Sequence, residues 1–195
     1  MTHPAGRPIF GGVNTVVPEV AARAGENLEL KARTADLERA RELAAAIGAV
    51  RQGTEEQVDQ YFSVPAGRLK LRRSSLDRAH LIAYLRPDDQ GSRVARFHRL
   101  PVADPDGLEA ILSAMFGVAA RVEKERDVWW WQDVRIHLDT VEGLGSFVEF
   151  EARLDRIGDP EEALRRIEWL GNEFGIASEE AIAGSYAEMR GADAR

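Results

Sequence analysis

Charged residues recur at every second position through segment after segment of this chain, and that period constrains its fold more than any other feature. In an extended strand, side chains two apart share a face. Arg68, Lys70 and Arg72 therefore face one way, with Leu69 and Leu71 opposite. Asn27, Glu29 and Lys31 oppose Leu28 and Leu30; Lys124 and Arg126 pair in the same manner, as do Arg135, His137 and Asp139. Glu149 and Glu151 alternate with Val148 and Phe150, and Tyr84 with Arg86 adds one more pair. In any one strand this means apolar residues toward a core and charges toward water. Repetition over six strands means more. If helices cover the leucine face, all the charged faces lie on the sheet's other side, and a closed or strongly curved sheet gathers them into a polar lumen.

The chain supplies such helices. Asp36 precedes a run with Leu37, Ala40, Leu43, Ala44 and Ile47 at helical spacing, with Gly48 near its stop. A second helix fits 104–117, with Leu108, Ile111, Leu112, Met115 and Phe116 on one side. A third starts at Asp159-Pro160, a cap with proline at the first helical position, and Ile176 to Met189 reads as a final short helical segment. Between them lie strands at 27–33, 55–64, 67–74, 80–87, 92–100, 120–132, 134–141 and 146–154. Many strands with a few interposed helices predict an α+β, mostly antiparallel fold.

At 195 residues the chain has room for one ordinary domain, expected over 26–190, with a flexible Pro- and Gly-rich leader at 1–25 and a tail at 191–195. The formal charge of −7 argues against a general nucleic-acid binder, and the absence of cysteine excludes disulfides, thiolate zinc sites and cysteine nucleophiles. No apolar run is long enough to span a bilayer and no signal pattern opens the chain, so a cytoplasmic protein with no membrane partner is expected. A lumen carrying both charge signs suits an anionic ligand that brings metal.

The runs NLELKAR, QVDQYFSVPAGRLKLR, LIAYLRPDDQG, VEKERDVWWW and VRIHLDTVEGLGSFVEFEA together resemble the CYTH superfamily, which contains class IV adenylyl cyclases, thiamine triphosphatases and related triphosphate tunnel metalloenzymes. The likeness covers about residues 27–190. It implies an antiparallel eight-stranded tunnel-like β-barrel with flanking helices, in agreement with the alternation. The family's first strand carries Glu-x-Glu-x-Lys. This chain has Asn27, Glu29 and Lys31, so the first glutamate is replaced, and Glu26 points to the other face. Glu149 and Glu151 match the family's late Glu-x-Glu, and Asp139 the aspartate before the Gly-Leu-Gly turn. Lys70, Arg72, Arg86, Lys124, Arg126 and Arg135 match basic positions that hold phosphate oxygens.

The chemistry behind that inventory is direct. Arginine forks and lysine ammonium groups hold the non-bridging oxygens of a triphosphate. Carboxylates reach those oxygens only through a divalent cation, and the oxygen donors Glu29, Asp139, Glu149 and Glu151 suit Mg2+ or Mn2+. The resemblance thus implies Glu29, Lys31, Glu149 and Glu151 as catalytic, with class IV adenylyl cyclase-like conversion of ATP to cyclic AMP and pyrophosphate as the leading expectation. Alternatives are hydrolysis of thiamine triphosphate, a nucleotide, inorganic triphosphate or another phosphorylated metabolite, and a non-catalytic polyphosphate-binding module. The substitution at Asn27 removes one negative charge from the metal site and is either a tolerated variant or the sign of an altered reaction. Trp130 shares the face of Lys124 and Arg126 and is expected to stack on a base or wall off an apolar tail; the alternative is that Trp129, Trp130 and Trp131 pack under helices or at a dimer contact. His137 either orients a phosphate or fills a hydrogen-bonded position. A homodimer remains open.

Overall fold

The computed structural model describes residues 23–85, 94–182 and 184–193. Eight strands form a closed barrel: β1 (Arg23–Arg33), β2 (Val50–Phe62), β3 (Arg68–Ser74), β4 (His80–Leu85), β5 (Val94–Pro101), β6 (Val118–Trp131), β7 (Val134–Val141) and β8 (Gly145–Arg153). Their order around the barrel is β1-β5-β4-β3-β2-β6-β7-β8, and every neighbouring pair is antiparallel. Closure removes the free edges that an open sheet of such strands would expose.

Five helices flank the barrel: α1 (Leu37–Ala46), α2 (Pro105–Phe116), α3 (Leu154–Ile157), α4 (Pro160–Glu173) and α5 (Tyr186–Asp193). The helix starts expected at Asp36 and Asp159 are in place, and Asp104 caps α2 as well. The Asp36, Asp104 and Asp159 carboxylates accept hydrogen bonds from the backbone N–H groups of Arg39, Gly107 and Glu161. Gly48, at φ 79°, lets the chain leave α1. Leu28, Leu30, Ile136, Leu138, Val148 and Phe150 point outward and are sealed by Ala40 and Ala44 of α1 and by Ala163, Ile167 and Leu170 of α4. On the other side Leu112 of α2 packs on Phe62 and Leu71. The main apolar core thus lies between barrel and helices, and the lumen is left to polar groups.

Several boundaries differ from expectation. β1 begins at Arg23 rather than Asn27, because Arg23–Leu28 pairs with β5. β2 begins at Val50 rather than Glu55, since its early residues pair with β6 through a register shift between Arg51 and Gly53. Leu154 opens α3 instead of ending a strand. The expected last helix is broken into a 3-10 turn (Ser178–Glu180) and α5, as the Ile182 N–H is drawn off to the Lys31 carbonyl at 2.7 Å and Gly184 takes φ 102°. Arg86 and most of the leader lie outside the described residues. No helix among the described residues is long and apolar enough to cross a membrane.

Candidate active site

Register brings the charged residues of distant segments face to face. Glu29 stands opposite Glu151, and Lys31 opposite Glu149, across the β1–β8 ladder. His137 opposes Glu149 and Arg135 opposes Glu151 across β7–β8; Arg126 opposes Asp139 across β6–β7. On the far wall Asp59 opposes Arg72, and Tyr61 opposes Lys70.

These pairs build two buried charge networks. In the first, the Arg126 guanidinium donates to both oxygens of Asp139 (2.7 and 2.6 Å) and to Glu149 (2.8 Å). Glu149 also takes Lys31 Nζ at 2.8 Å and lies 3.1 Å from His137 Nδ1. In the second, Asp59 accepts from Arg72 Nε and from Lys70 Nζ at 2.7 and 2.9 Å, with Lys124 Nζ at 3.9 Å. Lys124 Nζ joins the two networks, since Asp139 lies 4.0 Å away. A buried charge is tolerable only when paired in this manner.

One cavity lies between the networks, with about 560 Å³ of empty space. Six cationic side chains (Lys31, Arg68, Lys70, Arg72, Lys124 and Arg126) and three glutamates (Glu29, Glu149 and Glu151) line it. Among the described residues the remaining lining is Tyr61, Tyr84 and the 184–186 segment, with no aliphatic side chain. Tyr186 of α5 closes this end: its hydroxyl donates to Asp139 at 2.8 Å, and Lys31 and Lys124 sit 4.3 and 5.1 Å from its ring centre.

The electrostatics split the carboxylates into two kinds. Burial would raise Asp59 and Glu149, but Arg72 and Lys70 hold the former, and Lys31 and Arg126 the latter, well below the usual carboxylate range. Asp139 is likewise held at about 2 by Arg126 and Lys124 against its own burial. Glu29 is the opposite case. It has no hydrogen bond or ion pair with a described residue, and burial together with the nearby Glu149 and Glu151 charges pushes it up to about 7. Burial and the neighbouring Arg72 lower Lys70 to about 8; burial, Arg126 and Arg72 bring Lys124 well below its ordinary value. His137 is lowered by burial and Arg126, so it meets Glu149 as a neutral imidazole near pH 7.

Of the residues singled out from the sequence, Glu29, Lys31, Lys70, Arg72, Lys124, Arg126, Glu149 and Glu151 line this cavity. Asp139 lies behind it, fully buried, its oxygens taken by Arg126 and Tyr186. Trp130 and Arg135 lie at the other end of the barrel, in a chamber that shares Arg72, Arg126 and Glu151 with the first. The other two tryptophans face outward: Trp129 enters the core under the helices, and Trp131 stacks on Trp169 of α4 at 4.5 Å. Asn27 is also toward that second end, with a buried Oδ1 that has no partner. Asp59, Tyr61, Tyr84 and Tyr186 were not among the expected site residues.

The donor set suits a hard divalent cation. Among the described residues no three carboxylate or imidazole groups already stand together as a ligating cluster, because Lys31, Arg126 and His137 hold Glu149 and Arg135 holds Glu151. Glu29, Glu149 and Glu151 nevertheless share one cavity, and Glu29 makes no ion pair with a described residue: burial and its like-charged neighbours penalise ionisation more than Lys31 and Lys70 favour it. A divalent cation relieves that penalty, and all three groups offer oxygen, the donor such ions take.

A family model described as CYTH domain matches residues 26–186. The chain belongs to the CYTH family. CYTH enzymes act on triphosphates and generally depend on a divalent metal. A Methanocaldococcus jannaschii protein named "Putative adenylate cyclase" is 24% identical over 136 residues, 69% of this chain and 77% of the relative. The PH1012 protein from Pyrococcus horikoshii OT3 shares the fold with a TM-score of 0.74 and 25% identity, over 83% of this chain and 98% of that one. A Hippeastrum protein described as a "Putative adenylyl cyclase" that "reveals a dominant" triphosphatase activity shares it at TM-score 0.61 and 18% identity, over 86% and 96%.

Proposed function

We propose that this CYTH chain is a cytoplasmic, metal-dependent enzyme acting on a triphosphorylated small molecule, with ATP cyclisation to cyclic AMP and pyrophosphate as its reaction. The observation that carries the reading is the single cavity in which six cations face three glutamates, one of them unpaired. Lys70, Arg72, Lys124 and Arg126 hold the non-bridging phosphate oxygens. Their present carboxylate partners keep them oriented and desolvated, so binding exchanges one anion for another rather than stripping water from free cations. Glu29, Glu149 and Glu151 would hold Mg2+ or Mn2+, which supplies charge neutralisation of the phosphates and activation of the attacking oxygen. Asp139 is read as a positioning residue, fixing Arg126 and, through Tyr186, the closed end of the tunnel. Lys31 holds Glu149 in place until metal and substrate enter.

In the cyclase reaction the ribose 3′-oxygen forms a bond to the α-phosphorus, the bond from that phosphorus to the oxygen bridging to the β-phosphorus breaks, pyrophosphate leaves with that electron pair, and the hydroxyl proton passes to solvent water. The charge that develops on the leaving oxygens falls among the arginines and lysines. A second reading, hydrolysis at the terminal phosphorus by water, is favoured by the all-polar lining, which offers a base little beyond tyrosine rings.

A phosphorus NMR time course with ATP, thiamine triphosphate and inorganic triphosphate, with Mg2+ or Mn2+, tests both. Cyclic AMP with pyrophosphate establishes the cyclase and orthophosphate the hydrolase, and E149A and E151A are expected to abolish either. Unchanged substrates with tight binding would refute catalysis, and full activity in both variants would refute the metal assignment.

A further inference from the structure

The second end of the tunnel carries cations of its own. Its chamber has about 900 Å³ of empty space and shares Arg72, Arg126 and Glu151 with the first. Arg99 and Arg135 enter it, as do His80, Gln57 and Trp130. Arg135 is shelved on the Trp130 ring, 5.0 Å from its centre. Two polar atoms here are buried with no partner among the described residues, the donor Arg99 Nε and the acceptor Gln57 Oε1, and Gln57 is 4% exposed. Native structures rarely leave such atoms unsatisfied, and each costs about 1–3 kcal/mol unless a ligand or water completes it.

The acidic groups of the chamber do not cancel this demand. The Glu55 carboxylate takes hydrogen bonds from Gln57 Nε2 and Ser74 Oγ. Asp77 holds one arm of Arg99 at 2.6 Å, yet it is half exposed and sits on the rim. Glu151 takes only Nη1 of Arg135, at 3.2 Å, which leaves the rest of that guanidinium free to bind an anion. His80 lies 3.1 Å from Arg99, and burial with that guanidinium holds its imidazole below the ordinary value, so it has no charge of its own to spare for Asp77 near neutral pH.

We propose that this open mouth is a second, separate binding site for an inorganic phosphate anion, orthophosphate or pyrophosphate, held by Arg99 and Arg135. A hydrogenphosphate has the chemistry both unpartnered atoms lack: anionic oxygens that accept from Arg99 Nε and a P–OH that donates to an acceptor such as Gln57 Oε1. Trp130 then serves as the platform that orients Arg135. The cradle and this mouth share Arg72 and Arg126, so an anion released in the first would next meet the cations of the second. That last consequence rests on the proposed function; the site itself does not.

The test is an NMR titration of metal-free protein with orthophosphate and, separately, with pyrophosphate. It follows the Trp130 indole N–H and the His80 ring as reporters of the mouth, and Tyr186 as a reporter of the cradle. In the wild type both sets are expected to shift, with different midpoints, and the tighter anion identifies the ligand. In K124A the Tyr186 midpoint weakens tenfold or more while Trp130 and His80 keep theirs. In R99Q, and again in R135Q as a check on local unfolding, the Trp130 and His80 midpoint weakens at least fivefold and that of Tyr186 stays. A single midpoint for all reporters that K124A moves throughout would overturn the proposal, as would unshifted Trp130 and His80 in the folded wild type. If only the mouth reporters move, the site stands and the triphosphate cradle falls.

Discussion

The same eight strands present two faces, and the two are held by different forces. Along β1, Leu28, Leu30 and Ala32 look outward into helices, while Asn27, Glu29 and Lys31 look inward at groups from other strands. The outer face gains from apolar area removed from water, a contribution with no charge to titrate. The inner face is a set of charges whose burial costs nearly as much as their pairing returns. Stability therefore sits mostly outside, and the inside is kept in a condition that a ligand of opposite charge can complete. The difference can be broken from either side.

The largest effect is expected inside, at Asp59. Asp59→Ala leaves Lys70, Arg72 and Lys124 buried without their shared anion, and should cost about 3–5 kcal/mol in urea unfolding. Saturating inorganic triphosphate should recover part of that loss, because it supplies the missing charge. On the outer face Ile167→Ala in α4 should cost about 2–5 kcal/mol, with no recovery by triphosphate. If both variants respond equally to the anion, the two faces are not distinct in the way described.

The pH dependence sharpens the contrast. Glu29 is raised to about 7 in the folded state from an ordinary 4.5, so it favours folding fully below about 4.5, and that contribution is lost as pH rises through 7. Metal-free protein should thus lose stability between these values, E29Q should flatten the slope, and added Mn2+ should restore stability at the upper end. Asp139 has the reverse sign. Its depressed value, about 2, stabilises the fold above the unfolded value of 3.8 and ceases to do so as pH falls through 2. Urea midpoints across pH 2–8 test both arms. The smallest effect is at the outer rim: Trp131→Leu removes the stack on Trp169 and should cost about 0.5–1.5 kcal/mol beyond lost area, leaving triphosphate affinity as it was.

How much of this was legible varied with the range of the interaction. The strand faces were legible from the period of two, and the helix starts at Asp36 and Asp159 from local chemistry. The three tryptophans illustrate the boundary. Alternation separates Trp130 from Trp129 and Trp131, but only the fold sends Trp131 to Trp169 and places Trp130 under Arg135 at the far mouth. Asp59 carried a faint signal, since it alternates with Gln57 and Tyr61, yet nothing local distinguishes it from the other acids of β2. Tyr186 gave none; it reaches Asp139 across 47 residues of sequence.

What the sequence determined by itself is therefore the sidedness of each strand and the need for helices to cover one side. Those follow from backbone geometry and from the aversion of leucine for water, both properties of a few neighbouring residues. Closure of the barrel decided the rest. Closure sets Glu29 against Glu151 and Lys31 against Glu149, while Asp59 draws its three cations from the strands on either side of it, β3 and β6. Charge interactions depend on distance and on solvent exclusion, and a chain has neither until its ends of the sheet have met.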